Sequence, residues 1–172
     1  LVFDIETIPS PDLLINIYLM QKYFVEVDEA TVDVEYNNNS ARLRKEGIIA
    51  RVLRTYPSLV RDLHFYLMVK ERGHFDEVLY SFKEDFYRGV DLWVRKGHTW
   101  YKVGLLQNTS RAQYFKNMKQ SSRHENTNNI IYITLDSCKS RKCGDFYLFT
   151  EEHVAHLEKI VLGDTADLNR TI

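Results

Sequence analysis

Between residues 90 and 106 the chain writes one pattern twice. Val90, Leu92 and Val94 alternate with Asp91 and Trp93, Arg95-Lys96-Gly97-His98 breaks the alternation, and the stretch from Trp100 to Leu106 takes it up again. Two period-two segments on either side of a glycine-containing turn specify a β-hairpin. The register is constrained because a slip of one residue would send every apolar side chain to the wrong face. The run Ile130-Ile131-Tyr132-Ile133-Thr134-Leu135 reads as a further strand, and Asp145 to Phe149 as another.

Helical signals surround these strands. From Ser58 to Arg72 the apolar positions Leu59, Val60, Leu63, Leu67 and Met68 follow a helical period. Pro57 fits the first turn of that helix and Gly73 its end. Thr109 or Ser110 can cap a helix over about 110–120, with Ala112, Tyr114, Phe115 and Met118 as its apolar members. Thr150 caps another that runs to about Leu162, with Glu151 and Glu152 placed to complement the helix dipole. Phe75 to Phe82 fits helix or strand.

Nearer the start, residues 1–8 alternate like a strand that Pro9 and Pro11 end. Ser10 or Asp12 can cap a helix over about 12–24 that buries Leu13, Leu14, Ile17, Tyr18 and Met20. Val25 to Tyr36 reads as an edge strand or an acidic connector. Asn37-Asn38-Asn39-Ser40 is a turn and the best candidate boundary, followed by a helix over about 41–54. The expectation is an α/β chain with a mixed central sheet flanked by helices. Residues 1–40 form an extension or subdomain, 41–163 the main domain and 164–172 a tail.

Composition narrows the class. No run of 18 apolar residues occurs, so no transmembrane helix and no membrane partner are expected. Leu1 to Glu6 has no basic region and does not read as a secretory signal. Two cysteines, Cys138 and Cys143, rule out a disulfide framework and fit a reducing cytoplasm. Zinc normally takes four ligands; with His124, His153 and His156 the nearest histidines, the pair reads as turn cysteines instead. The net charge of -1 names no partner. Yet Lys102 to Lys142 carries eight basic residues against Glu125 and Asp136, which marks either a phosphate-facing surface or a solvated face. Glycine-rich phosphate loops, HExxH and nucleophile elbows do not occur.

One constellation carries chemistry. Asp91 opens the hairpin, Asp85 lies six residues before it, and Tyr101-Lys102-Val103-Gly104-Leu105-Leu106-Gln107 leads into Asn108-Thr109-Ser110-Arg111. Over residues 58–150 this resembles the core of the PD-(D/E)XK, or restriction-endonuclease-like, nuclease superfamily. Its signature is a helix with an acid, a hairpin Asp, a strand ending Glu-x-Lys, and a further helix. The resemblance implies DNA as partner and Mg2+-dependent hydrolysis of phosphodiester bonds, with carboxylates holding the metal and a cation facing the developing charge. Asp91 matches the hairpin Asp, and Asp62 or Glu71 the helix acid, as metal ligands. Leu105 and Gln107 fall at Glu-x-Lys. Gln107 replaces the Lys, but Leu105 cannot ligate a metal, so Asp85 or Glu84 compensates or the site is inactive. An inactive site on this fold still binds DNA or a protein, and a second copy or partner subunit can supply missing residues. Arg111, Lys116 and Lys119 on the following helix are the candidate phosphate contacts. Trp93, Trp100 and Tyr101 read as core aromatics rather than base-stacking groups.

A rival pattern lies at the start. Asp4-Ile5-Glu6 resembles the first motif of DEDD 3'-5' exonucleases, with Asp76 and Tyr132 to Asp136 as weaker matches to the second and third. The third motif belongs on a helix, whereas 130–135 reads as a strand.

Overall fold

The computed structural model describes residues 8–19, 24–26, 28–36, 39–81, 84, 88–110, 114, 129–136, 139–144 and 146–168. The chain divides into two compact units, one of Thr7–Val60 and one of Leu1–Glu6 with Arg61–Ile172. The division falls inside a helix and not at the Asn37–Ser40 turn.

The smaller unit begins with α1 (Pro11–Leu19), followed by β1 (Phe24–Glu26), β2 (Thr31–Tyr36) and β3 (Asn39–Arg44). Ser10 caps α1 as its sequence implies: its Oγ accepts the Leu13 N–H at 3.2 Å. The three strands form an antiparallel sheet in the order β1-β2-β3. Val32, Ile48 and Val52 are its buried apolar centre, with Leu14, Ile15, Leu19 and Val34 against them.

Two expectations are corrected here. The helix placed at 41–54 begins only at Lys45, as the start of α2, and its first four residues belong to β3, because residues 39–44 pair with β2 along its whole length, Thr31 opposite Arg44 through Tyr36 opposite Asn39. Sheet pairing overrides the helix preference of Ala41, Arg42 and Leu43. Pro57 does not start a helix. It lies within α2 (Lys45–Arg72), where its nitrogen has no proton to offer the carbonyl four residues back.

In the larger unit the last turns of α2 end at Gly73, whose φ of 67° is left-handed backbone that glycine adopts at no steric cost. Next come β4 (Glu77–Tyr80), β5 (Leu92–Lys96), β6 (Thr99–Gln107) and β7 (Ile130–Leu135). Their sheet order is β4-β5-β6-β7, with the first three antiparallel and β7 parallel to β6. This is a mixed α/β architecture, as the patterning implied. The hairpin strands are longer than their alternation indicated, since Lys96 pairs with Thr99 and only Gly97-His98 remains as turn. Gly97, with φ 60°, takes the first turn position, and its N–H donates to Asp76 Oδ2 at 2.7 Å.

The ladders put Tyr80, Leu92, Val103 and Ile131 at matching positions on one face, with Val94, Leu105, Ile133 and Leu135. That face carries the core. Phe65 and Val69 of α2, Phe75, Phe149, and Val154, Leu157 and Val161 pack against Leu92, Val94, Val103, Ile133 and Leu135. The last three of the covering residues belong to α3 (Glu151–Leu168), which follows a short hairpin of β8 (Arg141–Cys143) and β9 (Phe146–Leu148). Thr150 stands at the N-cap of α3: its carbonyl accepts the His153 N–H at 3.0 Å, and its own N–H donates to His153 Nδ1 at 3.1 Å, the return half of a capping box with histidine where Glu is usual. Glu158, nearly buried, holds α3 to the end of α2 through His74 Nδ1 at 2.9 Å and Arg72 at 3.5 Å.

Candidate functional site

The end of the larger sheet where β6 and β7 finish collects the polar residues that the sequence singled out. The carboxyl ends of parallel strands are where open α/β sheets bind ligands, because backbone pairing stops there and leaves polar groups facing outward. Leu92 pairs with Val103 and Gln107 with Leu135, so Asp91, Gln107, Asn108 and Asp136 all belong to this end.

Asp91 is held by the strand beside it. Its N–H donates to the Val103 carbonyl at 3.0 Å, and its Oδ2 accepts the Leu105 N–H at 2.5 Å. The side chain thus continues the β5–β6 ladder one step past its last residue pair. It occupies a backbone donor that would otherwise lose its partner when β5 ends. The carboxylate thus caps the neighbouring strand. On the other side the main chain itself extends the pairing, the Asn108 N–H donating to the Leu135 carbonyl at 3.1 Å. Sequence patterning did not single out Asn108, since its role follows only from where β7 ends.

Gln107 is the last residue of β6. Alternation places it on the face of Val103 and Leu105, both of which pack in the core, and it is partly buried. Leu105, the residue at the Glu position, is therefore a core side chain as well as an apolar one. Asp136 follows β7, and its carbonyl accepts from the Lys139 N–H at 3.1 Å and from Ser140 Oγ.

Of the acids expected to join Asp91, Asp62 and Glu71 do not form a three-carboxylate group with it. Asp62 and Glu71 are nine residues apart on α2, about two and a half turns, so they leave the helix on opposite sides. Glu71 is exposed and Asp62 partly buried. Glu84 pairs with Arg88 at 3.0 Å. Among the described residues no three His, Cys, Asp or Glu side chains come together as a metal-holding group. The described residues by themselves therefore do not make the three-carboxylate magnesium site that the motif implies. Asp85, Arg111, Lys116 and Lys119 lie outside the described residues, as do Asp4, Glu6, His124 and Cys138. Asp76 serves the hairpin turn, at the opposite end of the sheet from Asp136, and Tyr132 stands on a strand as its pattern indicated.

One reading is overturned outright. Trp93 and Trp100 are not core aromatics. They share the face opposite the core, where the register sets Trp93 beside Lys102 and Arg95 beside Trp100. Only Tyr101 turns to the core. The alternation of 92–96 carried this information, because Trp93 has the opposite parity to Leu92 and Val94.

No family model, no curated protein and no solved structure matches this chain.

Proposed function

We propose that this chain is a nucleic-acid-binding domain with a restriction-endonuclease-like core whose hydrolytic site is degenerate. The observation that carries the reading is the use made of Asp91. The motif needs its carboxylate for a metal beside a second carboxylate on β6; here it holds the Leu105 N–H, and Leu105 belongs to the core. The order of elements supports the core assignment. An acid-bearing helix precedes three antiparallel strands, Asp91 opens the central one, Ser110 and Tyr114 are helical, and a parallel strand follows. Exposed Lys139, Arg141 and Lys142 beyond β7 belong to the basic segment from Lys102 to Lys142 and suit phosphate contact.

The test pairs binding with cleavage. Labelled DNA titrated at several salt concentrations should bind with an affinity that falls steeply as salt rises. Plasmid and single-stranded DNA incubated with Mg2+ or Mn2+ should stay intact. Asp91→Asn is the informative variant, because an amide oxygen still accepts from Leu105 while the charge needed for a metal is gone. Metal-dependent cleavage by the wild type that disappears in Asp91→Asn would establish an active nuclease instead. Absence of DNA binding would remove the nucleic-acid reading altogether.

A further inference from the structure

We propose that the outward face of the β5–β6 hairpin is a stacking surface for single-stranded nucleic acid. The proposal rests on the nucleic-acid reading above but is independent of hydrolysis. The chain has two tryptophans, and both are on this face. Cross-strand pairing sets each opposite a cation: Lys102 Nζ is 5.6 Å from the Trp93 ring centre, and the Arg95 guanidinium 5.7 Å from that of Trp100. The two indoles meet edge to face on the diagonal, 6.5 Å apart. The result is a two-by-two checkerboard of rings and cations.

Three features distinguish it from ordinary packing. Among the described residues, the core cluster lies on the other side of the same strands and includes neither ring. Trp100 keeps 38% of its surface exposed, unusual for the largest apolar side chain. The charge is also unevenly matched: Arg95 pairs with Glu77 at 3.2 Å, while Lys102 meets the Trp93 ring and no carboxylate among the described residues. The face extends along β6 to Gly104, where the absence of a Cβ lets the Tyr132 ring lie against the strand; a Cβ there would come within 2.8 Å of it. A third ring thus continues the row.

Rings for bases beside cations for phosphates are the combination that single strands require, since every base offers a π-face and every nucleotide a charge. A duplex hides those faces inside its stack. A purely apolar protein partner would leave Lys102 desolvated and without a counter-charge.

Because both tryptophans lie in the patch, their emission reports on it directly. Titration with an oligothymidylate should quench that emission, with the same midpoint as the anisotropy of a labelled oligonucleotide. Trp100→Leu should weaken binding roughly ten-fold. Trp100→Phe, which keeps a ring, should retain most of the affinity. Lys102→Gln should lower the slope of log affinity against log salt by about one. Melting curves check that each variant is folded, and Lys102→Gln stands as an independent probe if Trp100→Leu is not. Anisotropy-detected binding with unquenched emission, or affinity indifferent to Trp100→Leu and Lys102→Gln, would overturn this surface and leave DNA binding elsewhere intact. Preference for duplex, or capture of a protein with no oligonucleotide binding, would also overturn it. No binding by either signal would end both this proposal and the broader reading.

Discussion

The two faces of the β4–β7 sheet are made by the same four strands and differ in almost everything else. One presents Leu92, Val94, Val103, Ile133 and Leu135 to helices and is dry. The other presents Trp93, Arg95, Trp100 and Lys102, with each ring against a cation. Both faces hold large apolar groups. What separates them is the company those groups keep. Aliphatic side chains gain free energy only from removal from water, about 25 cal/mol per Å² of apolar surface buried. An indole beside an ammonium is attracted to it even when wet, by about 0.5–1 kcal/mol at an exposed site.

The comparison breaks first on the core side. Ile133→Ala removes a fully buried side chain from the centre of the cluster and should cost about 2–5 kcal/mol, measured by urea unfolding. A smaller loss would mean that the covering helices collapse into the gap. Gly104→Ala acts from the opposite face. Its new Cβ would meet the Tyr132 ring at 2.8 Å and Ile130 at 3.1 Å, so destabilisation of about 1–3 kcal/mol is expected, relieved in the double variant with Tyr132→Ser. Additive effects in that cycle would show that the ring does not lie where Gly104 admits it.

Asp91→Ala leaves the Leu105 N–H without its partner and should cost about 1–3 kcal/mol, whereas Asp91→Asn should melt near the wild type. Equal losses in the two variants would assign the effect to charge and not to the strand-edge hydrogen bond. By contrast, Trp100→Leu and Lys102→Gln should change stability by only about 0.5–1 kcal/mol, the attraction of an exposed ring for its cation. A larger cost would place Trp100 in the packing and weaken its reading as a binding group.

Protonation probes the layer that covers the core. Burial holds the His64 and His153 imidazoles below their ordinary value of 6.5. Both stay neutral in the fold while the unfolded chain takes up protons. The stability they confer is therefore complete above pH 6.5 and is lost as pH falls below it. His153→Gln keeps an acceptor for the Thr150 N–H and removes the titration. Its melting temperature should fall less than that of the wild type between neutral and mildly acidic pH, and an identical fall would place the effect elsewhere.

Much of the larger unit was legible from local pattern. The hairpin, the strand at 130–135, the end of α2 at Gly73 and the Thr150 cap all depend on neighbours a few residues away, so periodicity and turn chemistry reveal them. The start of the helix expected at 41–54 was misplaced for the opposite reason. Residues 41–44 favour a helix by themselves, and only pairing with β2 makes them a strand, so the helix begins at Lys45. Pro57 misled in the same way, since a long helix can absorb one lost hydrogen bond when packing holds both sides.

The candidate site divides similarly. The sequence by itself determined that Asp91 stands at the head of a strand, that Leu105 offers no metal ligand, and that Trp93 alternates with Leu92 and Val94, as Trp100 does with Tyr101 and Val103. These follow from residue identity and a two-residue period. Only the tertiary structure decided that the Asp91 carboxylate holds the Leu105 N–H, that Asp62 and Glu71 do not join it in a metal-holding group, and that the tryptophans face away from the core. The physical reason is that alternation sorts side chains into two faces without saying which face the helices will cover. That choice is made by the burial of Phe65, Val69, Phe149 and Leu157 against one of them.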